Sequence, residues 1–384
     1  MNNSRLYLDI HAVQTLPPSN INRDDTGSPK TAQYGGVRRA RVSSQSWKRA
    51  MREYFADKGV DIGIRTKCMV QYIADKIIEK SHKPEDEAVE MAREILEFTG
   101  AEVVKEEVEE TWKSSVLFFL SEEQANCLAD IALAGEVDGE PLEKARKATE
   151  KKTTANTNYL NKIKKAIGSH INLSQTIDIA LFGRMVAKNP ILNEDASAQV
   201  AHAISTHAVE TEFDFYTAVD DLAPEDNAGA GMLGTLEYNS STLYRYANVA
   251  VHELHKQLQD KQAVIDTLKL FVEAFSNSLP TGKINSYANQ TLPQMLMITL
   301  RSDRPVSLVS AFENPIRSRK GYVQGSMEAL LQEYQKVQKF TAEPVFTAYV
   351  ALDDIATEEG LVAATSLHDL EERMAQQLQM LIEA

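Results

Sequence analysis

Between residues 30 and 52 the chain carries Lys30, Arg38, Arg39, Arg41, Lys48, Arg49 and Arg52 and not one aspartate or glutamate. In a protein of formal net charge −14 this is a local inversion of sign. Guanidinium and ammonium groups set beside hydroxyl and amide donors, here Ser43, Ser44 and Gln45, are the chemistry that holds successive phosphates. A helix opening at these residues adds its own N–H groups to such a grip. Gly35-Gly36 lets the backbone approach a ligand closely. The opposing reading, an ordinary solvated helix face, is equally compatible with the charge pattern alone.

Other combinations carry less. Gly229-Ala230-Gly231-Met232-Leu233-Gly234 spells the dinucleotide fingerprint, yet a polar turn precedes it and the strand-like Thr235-Leu236-Glu237-Tyr238 follows. The fingerprint needs a buried strand before it and a helix after it. A hairpin tip presenting Met232 and Leu233 fits better, and apolar side chains on a tip can wedge between stacked bases or dock on a neighbouring subunit. His252 with His255, and His202 with His207, miss the i, i+4 spacing of a zinc helix, and Cys68 and Cys127 stand alone, so neither a metal nor a disulfide framework is expected. Asp220-Asp221 reads as a solvated turn, and no nucleophile triad is legible.

The elements that must position these residues follow from periodicity. Leu6, Leu8, Ile10 and Ala12 alternate with Tyr7, Asp9 and His11, which predicts an opening strand with one buried face, ending at Pro17-Pro18. Residues 19–36 are rich in Asn, Asp, Gly, Ser and Pro, a long loop of the kind that carries function. Trp47, Ala50, Met51, Tyr54 and Phe55 share one helical face, Ser43 or Ser44 caps its start, and Lys48, Arg49 and Arg52 lie opposite. Residues 59–168 have helical composition, acidic first and then lysine-rich from Lys144 to Lys165. Strand alternation is expected at 171–181, a hairpin at 212–219 and 236–248, one amphipathic helix through Leu254 and Phe275, and a strand at 294–300. This order is α+β with antiparallel strands.

The 384 residues, 43% hydrophobic and 25% charged, suffice for a real core. The acidic balance excludes diffuse binding to nucleic acid or anionic lipid and leaves only a local patch. The longest dense apolar stretch, residues 116–120, is far below the ~20 residues of a membrane span. No signal peptide is expected, and the chain reads as cytoplasmic.

The run Asn22-Arg23-Asp24-Asp25, followed by Tyr34-Gly35-Gly36-Val37-Arg38-Arg39-Ala40-Arg41-Val42-Ser43-Ser44-Gln45-Ser46-Trp47-Lys48-Arg49-Ala50-Met51-Arg52, closely resembles the opening of the CasC family, the backbone subunits (RAMP superfamily) of the type I-E CRISPR Cascade complex. Residues 178–185, 201–207, 215–222 and 244–248 resemble that family's blocks in the same order, so the likeness runs from the first strand to about Pro315. It is weakest in the helical insertion and in the tail beyond Lys320.

The resemblance implies an RRM-like (ferredoxin-like) palm, a helical fingers insertion and a β-hairpin thumb. Residues 1–58 would begin the palm, 59–168 form the fingers, and 169–384 complete the palm, with the thumb at about 209–243. Several copies would polymerise head-to-tail along one CRISPR RNA beside other Cascade subunits, without cofactor or catalysis, and meet target DNA through the guide. Arg23, Lys30, Ser43, Gln45, Lys48, Arg49 and Arg52 would line the RNA backbone. Met185 and Leu233 would wedge at a flipped-out nucleotide, and Phe215, Tyr216 and Thr217 would lie near the guide–target duplex. The family often has a tryptophan and a phenylalanine where this chain has Phe215 and Tyr216. The lysines from Lys144 to Lys165 would reach duplex DNA. An alternative is an RNA endonuclease of the same superfamily, with His11, His202 or His207 as general base, which requires one of them within about 3 Å of a ribose 2′-OH.

Overall fold

The computed structural model describes residues 5–106, 111–150, 153–172, 176–186, 192–218, 232–355 and 360–383. The chain divides into two compact units, Met1–Phe55 with Ala198–Ala384, and Ala56–Ser197. The first opens with β1 (Tyr7–Ser19), β2 (Thr31–Tyr34), β3 (Val37–Val42) and α1 (Ser44–Asp57). The second holds β4 (Ile64–Thr66), α2 (Met69–Ser81), α3 (Glu85–Phe98), β5 (Val103–Lys105), β6 (Trp112–Ser114), β7 (Phe118–Leu120), α4 (Glu122–Ala134), β8 (Glu136–Val137), β9 (Glu140–Pro141), α5 (Leu142–Glu150), α6 (Thr154–Asn172) and α7 (Ile177–Phe182). The chain then returns through β10 (Ala198–Val200), β11 (Ala203–Ser205), β12 (Glu212–Ala218), β13 (Met232–Ala250), α8 (Val251–Leu258), α9 (Lys261–Asn277) and α10 (Ile284–Tyr287). It closes with β14 (Pro293–Arg301), α11 (Val323–Val337), β15 (Phe346–Ala351), β16 (Val362–Ala363) and α12 (Leu367–Glu383).

One sheet organises the first unit, in the order β16-β15-β14-β1-β13-β11-β3-β2, with β10 and β12 also paired to β13. Every pairing is antiparallel except β15 with β16. The strand expected at 294–300 is β14, and the tail beyond Lys320 supplies β15, β16 and the covering helices α11 and α12.

β1 departs from the expected single buried face. It is central, paired along its length to β13 and β14, and its polar positions are buried as well as its apolar ones. The polar side chains find partners on the neighbouring strands and in the segment after β14. Tyr246 donates its hydroxyl to Asp9 Oδ1 at 2.8 Å, the Val306 N–H donates to Oδ2 at 3.0 Å, and Arg301 Nε lies 3.4 Å from Oδ2. His11 Nδ1 meets the Tyr244 hydroxyl at 2.9 Å, and its ring stacks on Tyr246.

Burial raises the Asp9 carboxyl to about 7, while burial and the Arg301 charge lower His11 to about 3. A carboxyl raised by folding binds its proton better in the folded chain, so its contribution is fully present below about pH 4 and is lost as pH rises to 7. A histidine lowered by folding acts oppositely, its contribution fading as pH falls from 6.5 towards 3. The two trends oppose each other between about pH 4 and 6.5. His11→Gln is therefore expected to tilt the urea-stability profile between pH 7 and 4 relative to the parent's, by on the order of 1 kcal/mol per unit in favour of the acidic side. Superimposable profiles would show that this pair does not set the pH response.

The helix expected through Leu254 and Phe275 is two helices, because Gln259 adopts a left-handed conformation and Asp260 caps α9, accepting from the Ala263 N–H at 2.6 Å. The second unit is helical around Ile73, Ile77, Ala92, Leu96, Leu128 and Ile167, with three small two-stranded pairings. The strand alternation expected at 171–181 is overturned. Ile163, Ile167 and Ile171 continue the buried stripe of α6, and α7 follows with Thr176 at its start, Thr176 Oγ1 donating to Asp178 Oδ1 at 2.6 Å. Both helices belong to the second unit, which runs to Ser197.

Candidate nucleic-acid interface

α1 forms where predicted and buries Trp47, Ala50, Met51 and Phe55. Its start is fixed by Ser43, whose Oγ accepts the Ser46 N–H at 3.4 Å and whose own N–H donates to Asn22 Oδ1 at 2.8 Å. Ser43 is only 6% exposed, so it holds the helix end and is not the surface donor expected of it. Gln45 and Arg49 are exposed, and Lys48 and Arg52 are half-buried. Partial burial pushes the Lys48 ammonium below its ordinary range, an environment that an anion would relieve. Arg49 Nε donates to Glu53 at 2.8 Å across the helix surface.

Behind α1 a buried sandwich sets its seat. The Arg245 guanidinium lies 3.7 Å from the Trp47 ring and 4.3 Å from the Phe275 ring, and donates to Gln14 Oε1 and the Phe275 carbonyl, each at 2.5 Å. Arg39 also leaves the basic surface. It is fully buried and donates to the carbonyls of Tyr34, Ser205 and Phe312. Gly35-Gly36 is the left-handed turn between β2 and β3, and a Cβ on Gly35 would stand 1.7 Å from the Glu313 carbonyl oxygen. The close approach expected for a ligand is made to the protein's own backbone.

The long polar loop is compact. Asp24 Oδ1 accepts from the Thr26 and Ser28 N–H groups, each at 3.0 Å, and Asn20 Nδ2 donates to the carbonyls of Gly27 and Glu237. This leaves Arg23 exposed and Lys30 half-buried. Arg23 and Arg49 share the wall of an open groove of about 630 Å³ with Lys283. Sequence reasoning missed Lys283. It reaches the groove because Gly282 docks so tightly on residues 20–21 that a Cβ there would lie 2.4 Å from the Ile21 oxygen, a contact no local pattern announces.

β12 pairs with the first residues of β13 as a two-stranded ribbon, Glu212 opposite Tyr238 and Thr217 opposite Leu233. Residues 212–217 are all exposed, Phe215 at 65%. Alternation separates the three expected duplex contacts, since Phe215 and Thr217 share one face and Tyr216 takes the other. Tyr216 lies across Gly234, where a Cβ would meet its ring at 2.4 Å, so the last glycine of the apparent fingerprint makes room for an aromatic ring. The rest of that tip, with Asp220-Asp221, lies outside the described residues, as does the side chain of Leu233.

Within the second unit Met185 is 83% exposed. Its neighbour Arg184 is buried, donating to the Leu192 carbonyl, Gln124 Oε1 and Asn172 Oδ1, and so fixes where Met185 emerges. Much of the lysine-rich run is committed locally. Arg146 pairs with Glu94, Lys147 with Glu143 and Lys162 with Glu140, while Lys144 lies over the Tyr159 ring.

The histidines of the endonuclease alternative are mostly spent on the fold. His11 is buried. His207 accepts the Thr242 N–H at Nε2, donates from Nδ1 to the Ala208 carbonyl, and stacks on Tyr322 at 3.7 Å. His202 alone of the three is exposed.

A large sheet seats a cation-bearing helix and carries an exposed aromatic ribbon, which together define a mixed α+β scaffold. The chain belongs to the family described as CT1975-like protein, whose model matches residues 8–378. A search of curated proteins finds no match. Among solved structures, the chain is similar to one titled "CRISPR RNA-guided surveillance complex, pre-nicking", at 33% identity and a TM-score of 0.82, covering 97% of this chain and 100% of the other. A second, titled "CRISPR RNA-guided surveillance complex", matches at 30% identity and a TM-score of 0.72 over 96% and 99% of the two chains.

Proposed function

We propose that this protein is a non-catalytic CRISPR RNA-binding backbone subunit, which polymerises along the guide in a type I-E Cascade complex and presents it for pairing with target DNA. The observation that carries this reading is the end-to-end likeness to a chain of an RNA-guided surveillance complex. The sheet of the first unit serves as the RRM-like palm, the second unit as the fingers, and the β12–β13 ribbon as the thumb. Arg23, Lys30, Gln45, Lys48, Arg49 and Arg52 grip phosphates, with Ser43 supporting them through the helix cap. Met185 and Leu233 act as apolar wedges, and Phe215, Tyr216 and Thr217 lie beside the paired bases.

The logic is economical. Base pairing reads the sequence, so the subunit needs only phosphate grips and spacers and stays acidic elsewhere. A head-to-tail interface would grow without limit, and a guide of fixed length ends it. Among the described residues no helix is long and apolar enough to cross a membrane, in keeping with work in the cytoplasm.

The test is to express the chain with its neighbouring genes and a CRISPR array, purify it in mild salt, and size the bound nucleic acid after limited nuclease digestion. Repeat-flanked RNA with evenly spaced protection is expected. Protein free of RNA despite an intact array would overturn the proposal.

A further inference from the structure

The basic face does not stop at α1. Arg41, on β3, and His202, between β10 and β11, meet on the surface, with Arg41 Nη1 3.1 Å from His202 Nδ1. Arg41 is also tied back through Nε to the Thr31 carbonyl at 3.2 Å, and its backbone N–H donates to the Lys30 carbonyl at 2.9 Å. We propose that Lys30, Arg41 and His202 form a phosphodiester site for RNA, in which His202 takes up a proton from solvent as the phosphate binds. The proposal rests on the RNA-binding reading above, in which Lys30 already holds a phosphate, and adds to it Arg41, His202 and a linkage to pH.

The geometry explains why the two events are coupled. Arg41 has no acceptor capacity, so in the observed contact it is the donor and His202 Nδ1 the acceptor. The ring proton is then on Nε2 and the imidazole is neutral. Protonating Nδ1 would set N–H against N–H, so the guanidinium must leave first. A phosphodiester supplies the acceptor that draws Arg41 away and the negative charge that stabilises an imidazolium beside two cations.

The surroundings of His202 are one-signed. Arg41 from β3 contacts it, and Lys30, whose carbonyl accepts the Arg41 N–H, adds its positive charge. On its other side β13 offers the Tyr246 carbonyl, which accepts the Ala201 N–H at 2.9 Å, and Asn248, which donates to Gln199. Partial burial, then Arg41, then Lys30 hold the imidazole below its ordinary value, and no carboxylate of the described residues opposes them. A neutral histidine held down by two cations at an exposed surface is poised to charge when an anion arrives.

The test uses the full chain and a single-stranded oligouridylate. Calorimetric titrations at about pH 6.5, in two buffers of different ionisation heat, are expected to show net proton uptake by the parent protein and none by His202→Gln. In parallel, the parent's slope of log affinity against log salt should be steeper at pH 6 than at pH 8, by up to roughly 0.7, and the His202→Gln slope should be the same at both. In the free protein Arg41→Gln should move the His202 titration upward by NMR. Equal proton uptake in parent and His202→Gln, or a His202 titration indifferent to Arg41, would overturn the inference while leaving the RNA reading intact. Absence of RNA binding by the parent would instead overturn both.

Discussion

Lys48→Ala combined with Arg49→Ala is expected to weaken binding of single-stranded RNA by about two to four orders of magnitude at moderate salt. The slope of log affinity against log salt should fall by up to roughly 0.7 for each phosphate that is no longer neutralised. Each charge-assisted hydrogen bond is worth about 1.5–3 kcal/mol, which sets the size of the effect. The existing partner of Arg49 is a weak competitor. A surface i, i+4 pair such as that with Glu53 contributes about 0.3–0.5 kcal/mol, so a phosphate can displace it. Lys48 is the more telling half of the pair, because partial burial already disfavours its charge and an anion returns that cost. The helix itself should survive, since its packing rests on Trp47, Ala50, Met51 and Phe55 and its start on Ser43. Fluorescence anisotropy across a salt series, checked by a thermal melt, measures both properties. An unchanged slope with an intact melt would remove α1 from the interface.

Arg245→Ala should do the reverse and damage folding first. The substitution empties a fully buried site between Trp47 and Phe275 and leaves Gln14 Oε1 and the Phe275 carbonyl without the donors they now have. Removing a large side chain from a core and stranding its acceptors costs about 3–5 kcal/mol, a large share of a domain's stability. Arg245→Met refills the volume without restoring the hydrogen bonds, and Arg245→Lys keeps the charge but loses the planar stack, so both should fall between the parent and Arg245→Ala. Urea denaturation of the three variants orders them. An Arg245→Ala midpoint matching the parent's would mean that α1 is seated by something other than this sandwich. Burial also lowers Arg245 to about 9, the signature of a guanidinium surrounded by rings and carbonyls and not by acids.

Much of this arrangement is readable from the sequence where local pattern and tertiary demand agree. α1 follows from its i, i+3, i+4 apolar spacing and its serine cap, β14 from its apolar run, and the ribbon strands from alternation around a polar tip. Failures come where long-range packing decides. Asp9 and His11 look solvent-facing because alternation cannot show that a strand is central and that its polar side chains find partners on β13 and β14. The alternation read at 171–181 joins Ile171, the last member of the buried α6 stripe, to Ile179 and Leu181, which α7 buries, and the threonine at 176 is the helix-start signal to weigh against it. Among the cations, charge pattern cannot separate Arg39, which is wholly internal, from Arg38 beside it on the surface. Nor can it bring in Lys283 and His202, which reach the basic face only through the docking of distant loops.

β13 has a mechanical consequence. Residues 232–238 of this strand pair with β12 in the ribbon, and residues 239–250 of the same unbroken strand lie along β1 in the middle of the sheet. A pull on the ribbon along its axis is therefore carried into the sheet as shear, shared by a whole ladder of hydrogen bonds at once and not unzipped one at a time. A sideways push concentrates at Asn239, opposite the register shift that ends β1, and bends the strand there. The ribbon is thus a cantilever, stiff in tension and compliant in bending, with its root built into a strand pair at the middle of the sheet.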